Sequence, residues 1–388
     1  MAARAREVRL GFLSCGIGVA GVAATLRGQP AIPSWQISGT PILSIGGEGS
    51  PATEFLRIAG VHRSALGHLA VVNGGSNEIR VFDRTGKPAG TFGRQGSGPG
   101  EFQRIGSAGR MGDTLFLYDR SLLRVTRVLL APTPVLLGSF QVLAQGGDRG
   151  SVSLRGQLGD GRWLASTGIS PTFDGPPGVR RLPGSVGTIA ANGTGEMQWL
   201  AELPSGAVFV HNPTGNLKEA AVGLIGFSPF VYAVASGGAA WFGDSASDSL
   251  VRVTPDGRRR TMTLPIPLRT PPASLVAAAL ADALETDRNP QGRSFSEARF
   301  SPKYLPKHLP YYESLVAGHA GEIWVQEYAG LRSMAARYLV VAPDLRPLAW
   351  VEVPPGFRVS EAGADYVAGV HQDADGVETV RVYRLARR

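Results

Sequence analysis

A glycine-rich stretch that occurs twice constrains the fold of this chain more than any other feature. The segment "IGGEGSPATEFLRI" at 45–58 aligns without a gap with "FGRQGSGPGEFQRI" at 92–105, and seven of the fourteen positions are identical. A loop that recurs after 47 residues is typical of a connector between repeated structural units. Glycine suits such a connector because it adopts positive φ without steric cost.

The same glycines could instead cradle a phosphate group, and the residues around them argue against this alternative. A phosphate-binding loop needs free backbone N–H groups, a following helix and usually a Lys-Ser/Thr pair. Pro99 removes one donor, no lysine follows, and the next segment, "GDTLFLYD" at 112–119, has the apolar run of a strand. The stretch therefore predicts a connector.

Six apolar strands, each ending in a polar residue, continue the repeat along the chain. Each is apolar on both faces, as a strand covered by neighbouring sheets must be. They are "LAVVN", "LFLYD", "RWLAS", "AWFGD", "IWVQE" and "VAGVH", ending at Asn73, Asp119, Ser166, Asp244, Glu327 and His371. We expect their tryptophans, Trp163, Trp241 and Trp324, to pack in the core between sheets.

Pairs of alternating strands follow several of these segments. The stretches at 77–93, 250–264 and 338–353 each contain two such runs, joined by turns such as "RTGK" and "PDG". Four short antiparallel strands every 40 to 50 residues, roughly, are the signature of a β-propeller blade. The segment 35–46 should complete the last blade, whose other three strands come from 365–386, and so remove an exposed edge. The sequence predicts six blades.

The segment "VFDRTGKPAGTFGRQGSGPGEF" resembles the blade-and-linker motif of bacterial extracytoplasmic six-bladed β-propellers related to the NHL-repeat proteins. "GEIWVQEY" and "VTPDG" are similar to the same motif, and the resemblance covers roughly 35–388. It implies an all-β fold of four-stranded antiparallel blades. It implies little about activity, because a fold does not determine a function.

The first 24 residues have the pattern of a secretory signal peptide. Three arginines precede an apolar run, Leu10 to Ala24, and "VAA" at 22–24 offers the small residues of a cleavage site. The run is shorter than the ~20 residues that span a bilayer. We expect a periplasmic or secreted protein with no transmembrane span after cleavage. The alternative is a lipoprotein acylated at Cys15, but that reading needs a longer apolar stretch than Leu10–Ser14.

The charge of the chain does not point to nucleic acid. The net charge is +8, but only four of the 39 cationic residues are lysines, and the arginines are scattered, with 258–260 the densest cluster. No nucleic-acid-binding motif accompanies them. We therefore expect a protein or a small polar ligand as partner.

Motifs for catalysis or cofactor binding are missing from the sequence. The six histidines form no HxxEH or HxH cluster, no GxSxG occurs, and the single cysteine lies in the leader. "DADGVE" at 373–378 shares a fragment with a calcium loop but also fits a hairpin turn at Asp375-Gly376. The sequence thus predicts no cofactor.

Two groups of residues remain as candidate ligand sites. If the six strands above are the innermost ones, their ends share one channel mouth and could bind a cation or a polar ligand, or simply begin turns. That group is Asn73, Asp119, Asp244, Glu327 and His371, with Ser166 beside them. The second lies in an insertion at about 271–315, where a helix from Ser274 to Thr286 should precede an aromatic loop. Its candidates are Lys303, Tyr304, Lys307, His308, Tyr311 and Tyr312.

The sequence as a whole predicts an extracytoplasmic binding or scaffold propeller without catalytic activity of its own. The alternative is a metal-dependent hydrolase or lyase with Ca²⁺ or Zn²⁺ on the propeller axis. The two hypotheses differ in that only the second requires a metal ion.

Overall fold

The computed structural model describes residues 31–47, 50–144, 146, 150–168, 178–212, 214–216, 220–330 and 335–387. Residues Ile32–Arg388 form one compact unit. The predicted signal peptide at 1–24, with Cys15, lies outside the described residues. No described helix is long and apolar enough to cross a membrane. The described residues have an all-β fold with a helical insertion, as predicted.

Two short strands, β1 (Ser34–Ile37) and β2 (Leu43–Gly46), pair with strands far along the chain. They are followed by two four-stranded antiparallel sheets, which end at Gln141. The first sheet contains β3 (Ile58–Arg63), β4 (Leu69–Asn73), β5 (Glu78–Phe82) and β6 (Pro88–Phe92). The second contains β7 (Ile105–Met111), β8 (Thr114–Asp119), β9 (Arg124–Leu129) and β10 (Val135–Gln141). In both sheets the strands lie in chain order, as successive hairpins require.

The third sheet is larger than its neighbours because its outer strands are long. It contains β11 (Ser151–Gln157), β12 (Trp163–Gly168), β13 (Gly178–Ile189), β14 (Gln198–His211) and β15 (Ala221–Leu224). The far end of β14 pairs with β15, which gives this sheet five strands. The fourth sheet returns to four: β16 (Val231–Ser236), β17 (Ala239–Asp244), β18 (Ser249–Val253) and β19 (Arg259–Thr263).

The insertion between β19 and the next strand contains two helices rather than the one predicted. They are α1 (Ala273–Thr286) and α2 (Pro290–Arg299). Ser274 was expected as the N-cap of α1, but Pro272 holds that position and no side chain caps the helix. Asn289 caps α2, where its Oδ1 accepts the Gly292 N–H at 2.7 Å. The second helix escaped prediction because its sequence, "PQGRSFSEAR", has no continuous apolar face.

The last two groups of strands are joined into a nine-stranded sheet by the N-terminal segment. One group is β20 (Tyr312–Ala317), β21 (Ile323–Glu327), β22 (Ala336–Val341) and β23 (Pro347–Val353); the other is β24 (Phe357–Ala362), β25 (Tyr366–Gln372) and β26 (Glu378–Ala386). β1 runs parallel to β23 and antiparallel to β26, whereas β2 pairs only with β26 among the described strands.

The segment 35–46 therefore adds a fourth strand to the C-terminal group, as the sequence predicted, but in a different form. It makes two strands rather than one: β2 completes the group, with Leu43 opposite Val382, and β1 bridges to the preceding group. Because β1 and β2 cover the outer side of β26, that strand has no free edge.

The first strands of the successive groups meet around a common centre, which makes the fold propeller-like. In turn, β3 contacts β7, β7 contacts β11, β11 contacts β16, β16 contacts β20, β20 contacts β24 and β24 contacts β3. The apolar core lies between neighbouring groups, and Trp163, Trp241 and Trp324 are buried in it. Their predicted core role is confirmed.

The repeated glycine-rich stretch is a connector between sheets, and its glycines make room for an aromatic ring. Gly93 has φ of +92°, and a Cβ there would lie 2.8 Å from the Phe102 ring, which is fully buried. Gly46 has φ of +114°, and a Cβ there would lie 3.2 Å from the Phe55 ring. The identical Gly and Phe positions of the repeat thus have a common steric cause.

Candidate functional site

A central cavity of about 640 Å³ is lined by the first strands of the successive groups. Parts of β3, β7, β11, β16, β20 and β24 form its wall, and many of the lining residues are glycine or alanine. Small side chains leave the space open, and such a volume falls in the usual range for small-molecule sites. Six charged or histidine side chains face this wall: His62, Arg110, Arg155, His319, Arg358 and Glu361.

Glu361 is the centre of a buried polar cluster in the wall. It is 6% exposed, and its carboxylate accepts hydrogen bonds from Arg110 Nε at 2.7 Å and Arg110 Nη2 at 3.2 Å. The Tyr366 hydroxyl also donates to it, and His62 Nδ1 lies 3.2 Å from its Oε2. These residues come from β3, β7, β24 and β25, so the cluster joins three groups of strands across the cavity wall.

The hydrogen bonds of the cluster keep Glu361 ionised, and the ionised carboxylate in turn determines which ring nitrogen of His62 carries the proton. Burial alone would raise the pKa of Glu361, but the hydrogen bonds and charges of His62 and Arg110 outweigh it and lower the pKa to about 2. An ionised carboxylate only accepts hydrogen bonds, so His62 Nδ1 must carry a proton. In neutral His62, Nε2 is then an acceptor. That atom is buried and has no hydrogen-bond partner among the described residues.

Arg155 differs from Arg110 because no carboxylate of the described chain pairs with it. Its Nε donates to Ser166 Oγ at 2.9 Å. The side chain is open to the cavity, although protein surrounds it on most sides. This burial lowers the pKa of Arg155, and the positive charge of Arg120 lowers it further. Arg358, another exposed arginine of the wall, likewise forms no ion pair with a described carboxylate.

Aromatic side chains also take part in the cavity wall. Phe116, Tyr118 and Trp163 line it, but only Phe116 is half-buried, and its ring meets that of the buried Trp163 edge to face with centroids 5.1 Å apart. The cavity thus combines an apolar wall with unpaired positive charge, and it can accommodate a molecule that has both an apolar and a negatively charged part.

The predicted channel-mouth residues lie on the second strands of the groups, not on the innermost ones. The six strands selected from the sequence are β4, β8, β12, β17, β21 and β25, and in each group a first strand lies on the inner side of the selected one. Of the six, only β8 and β12 contribute described residues to the cavity lining. None of the five proposed residues lines the cavity in the described part of the chain. The assumption failed because the second strand is buried by its own sheet neighbours as well as by the adjacent sheets, and so is the most apolar.

Each of these residues makes local bonds instead. Asp119 accepts four backbone N–H groups, from Gln103, Arg104, Ser121 and Leu122, at 2.6 to 3.1 Å. Asn73 accepts the Leu56 N–H at 2.9 Å. Asp244 pairs with both terminal nitrogens of Arg181, at 2.8 and 2.9 Å.

The remaining two follow the same pattern. The carboxylate of Glu327 lies 3.5 Å from Nη1 of Arg337 and 3.7 Å from Nη2 of Arg269. Both arginines are outside the cavity wall. His371 is half-buried, and burial, with the charge of Arg381, lowers its pKa. These contacts are those of turn formers and connector anchors, the alternative that the sequence had left open.

The insertion residues do not form one group either. Tyr304 packs on Phe209 of β14 with ring centroids 4.5 Å apart, and Lys303 Nζ lies 4.9 Å from the centre of the Tyr304 ring. Tyr312 is fully buried in β20, whereas Lys307 and His308 are exposed and Tyr311 is half-buried. None of the six lines the central cavity among the residues that the structure describes.

The residues that line the cavity were missed, although their strands carry a signal. β3 ("IAGVHR"), β7 ("IGSAGRM"), β11 ("SVSLRGQ") and β24 ("FRVSEA") each mix small residues with isolated charged ones. Each precedes an apolar strand by a short turn. In a propeller, a glycine- and serine-rich strand before the most apolar strand is therefore the better place to search for a site.

Within the described ranges, no group of three or more His, Cys, Asp or Glu side chains lies close enough to hold a metal ion. At 373–378 the structure has a turn, in which Asp373 Oδ1 accepts the Asp375 and Val377 N–H groups at 3.0 and 2.8 Å. The predicted turn at Asp375-Gly376 is confirmed, and Gly376 has the positive φ of +84° that it requires.

No protein-family model and no curated protein matches this sequence. Among solved structures, the chain is similar to a member of the DUF4221 family from Bacteroides vulgatus, with a TM-score of 0.50, 8% identity, and coverage of 91% of this chain and 98% of that one. A Bacteroides fragilis protein named as exported gives a TM-score of 0.46 at 10% identity, covering 91% and 98% of the two chains.

A calcium-binding protein, regucalcin, from Agrobacterium tumefaciens is also similar, with a TM-score of 0.42, 12% identity, and coverage of 92% and 97%. At such identities the likeness concerns the fold alone. The kinship to NHL-repeat proteins stays a prediction.

Proposed function

We propose that this protein is an extracytoplasmic six-bladed β-propeller that binds a small molecule in its central cavity and has no catalytic activity of its own. One observation carries the proposal: six first strands enclose a cavity of about 640 Å³ whose wall combines small apolar residues with charged side chains. An enclosed space of this size with a few polar groups in its wall is the usual form of a small-molecule site.

The count of six blades follows from dividing the nine-stranded sheet at β1. β20 to β23 make one antiparallel group of four, and β24 to β26 with β2 make another. The third group is a blade whose outer hairpin is extended by β15. On this division the cavity is the propeller channel, and each blade contributes its first strand to the wall.

The extracytoplasmic location rests on the leader-like pattern of 1–24 and on its predicted cleavage after "VAA". Amino-terminal sequencing of the protein recovered from the host tests it. A chain beginning near residue 25 supports the proposal, and an uncleaved chain in the cytoplasm contradicts it.

A cavity-filling substitution tests ligand binding. Ala317 lines the cavity, and Ala89 lies exposed on the outer strand β6, so Ala317→Trp and Ala89→Trp make a matched pair. A small-molecule library is screened against the wild type by saturation-transfer NMR. We expect cavity ligands to lose binding in Ala317→Trp and to keep it in Ala89→Trp. If the ligands that bind the wild type bind Ala317→Trp equally well, the cavity is not the site.

The alternative, a metal-dependent hydrolase or lyase, has a separate test. The melting temperature is measured after EDTA treatment and again after Ca²⁺ or Zn²⁺ is restored. An ion that binds only the native state at about a hundred times its dissociation constant adds about 2.7 kcal/mol. A melting temperature that falls with EDTA and recovers with one ion supports the metal-dependent alternative. One that does not change argues against it.

A further inference from the structure

We infer that the ligand of the central cavity is an organic anion whose acidic group pairs with Arg155 and whose apolar part lies against half-buried apolar side chains of the wall such as Phe116. The inference rests on the proposed function, since it names the chemical class of the molecule that the cavity binds. The observation behind it is the excess of positive over negative side chains in the cavity wall.

The wall carries more positive than negative charge. Three arginines line it, Arg110, Arg155 and Arg358, and Glu361 is the single carboxylate among the described lining residues. Arg110 already neutralises Glu361 through two hydrogen bonds, at 2.7 and 3.2 Å. Two guanidinium groups therefore remain without a carboxylate partner in the described part of the wall.

Arg155 is the more informative of these two arginines. Its Nε is held by Ser166, and its two terminal nitrogens have no acceptor among the described residues. Its guanidinium is exposed to the cavity and can pair with a solute there, and no carboxylate of the described chain competes for it. Desolvation by the surrounding protein and the positive charge of Arg120 both lower its pKa, and an anion beside it would counter both effects. An anion in the cavity would supply the missing partner.

The geometry of the Arg155 side chain favours an acidic group over a neutral one. With Nε fixed on Ser166, the terminal nitrogens present a planar pair of donors, which matches the two oxygens of a carboxylate or of a phosphate or sulfonate group. Arg358 adds a second positive charge to the same wall and raises the local potential for anions.

The surroundings of Arg155 favour an organic anion over an inorganic one. Phe116, Val234 and Leu315 line the same cavity and are only half-buried, and the space of about 640 Å³ is much larger than a single phosphate ion needs. Burial of an apolar body against these residues adds binding free energy in proportion to the area removed from water. An inorganic ion would leave this surface wet.

A pair of matched probes tests the inference by isothermal titration calorimetry. The anionic probe is 2-naphthoate, the neutral probe is 2-naphthalenemethanol, and inorganic phosphate is the ion without an apolar body. We expect 2-naphthoate to bind at least tenfold more tightly than either of the others. Its affinity should fall as salt is raised, because screening weakens the ion pair.

Substitutions then assign the interaction to Arg155. In Arg155→Gln the affinity for 2-naphthoate should fall at least tenfold, equivalent to about 1.4 kcal/mol, while that for the neutral probe changes little. The control is Arg346→Gln, which removes an exposed arginine far from the cavity wall. Arg155→Lys keeps the charge and shows whether the planar donor pair is needed. Circular dichroism and the melting temperature confirm that each variant folds.

The outcomes separate this inference from the proposed function. If the neutral probe binds as tightly as 2-naphthoate, or if Arg155→Gln leaves 2-naphthoate binding unchanged, the inference is wrong although the cavity binds ligands. If phosphate binds as tightly as 2-naphthoate, the apolar wall plays no part and the organic class is wrong. If the Ala317→Trp experiment also shows that ligands bind elsewhere, the proposed function fails with it.

Discussion

At the scale of single residues, the cavity wall is organised by one buried acid. Glu361 holds Arg110, His62 and Tyr366, and in the unfolded chain these groups would return to water. A buried ion pair of this kind contributes little relative to an apolar core, but removal of one partner leaves the other charged and unsatisfied. The cluster therefore controls both the charge of the cavity and part of the stability of the fold.

The lowered pKa of Glu361 predicts an acid-dependent loss of stability. Its folded value of about 2 lies below the ordinary value of 4.5, so the carboxylate stabilises the fold at pH values above about 4.5. This contribution, on the order of 3 kcal/mol at 1.36 kcal/mol for each pKa unit, should disappear as the pH falls from about 4.5 to about 2. The free energy of unfolding, measured with urea at pH 7, 5, 4 and 3, should fall across the acidic part of this range.

The matched variants are Glu361→Gln and Glu352→Gln, since Glu352 is a largely exposed acid on β23. Glu361→Gln should be less stable at neutral pH and should lose most of the acid dependence in that window. Glu352→Gln should behave as the wild type. An acid dependence that survives unchanged in Glu361→Gln would show that other carboxylates cause it.

At the scale of elements, the enlarged third sheet packs against the helical insertion. The long hairpin of β13 and β14 and the strand β15 meet the helical insertion, where Phe209 and Ile225 contact Phe295 and Tyr304. The helix α1 buries Leu275, Ala279 and Ala283 against Phe227 and Phe300. Each segment thus buries apolar side chains against the other.

This packing predicts a structural rather than a ligand-binding role for Tyr304. Tyr304→Ala removes the ring that stacks on Phe209 and should lower the free energy of unfolding by about 3 kcal/mol, as large-to-small core substitutions do. Lys303→Ala removes an exposed charge and should change it by less than about 0.5 kcal/mol. Urea unfolding measures both, and equal small effects would contradict the structural role.

At the scale of the whole molecule, the N-terminal strands close the sheet on the last blade. β2 contributes buried Ile45 to the core shared with β3 and β25, and β1 lies between β23 and β26. Without them β26 would have an unpaired edge, which other chains could extend. The closure joins residues more than 300 positions apart, so it forms only when the rest of the ring is in place.

Removal of these strands should therefore destabilise the molecule and promote association. A chain that begins at residue 48 is compared with one that begins at residue 31, which retains β1 and β2. We expect the shorter chain to unfold at lower urea concentration and to form oligomers in size-exclusion chromatography, and the longer one to remain stable. Equal stability and equal elution would show that the closure is dispensable.

The sequence alone determined the repeat, the all-β class, the six most apolar strands and the connectors, because burial pattern and glycine φ requirements are local. Strands β4, β8 and β21 lie within a residue of their predicted positions, and the hairpins of β5–β6 and β22–β23 formed where their turns indicated. Only the tertiary structure decided which strand of each group lines the cavity. The order of strands within each group is local, but the packing of the first strands around one centre depends on contacts between distant segments. Arg155, His62 and Glu361 therefore share no pattern in the chain and come together only where three groups of strands meet at one wall.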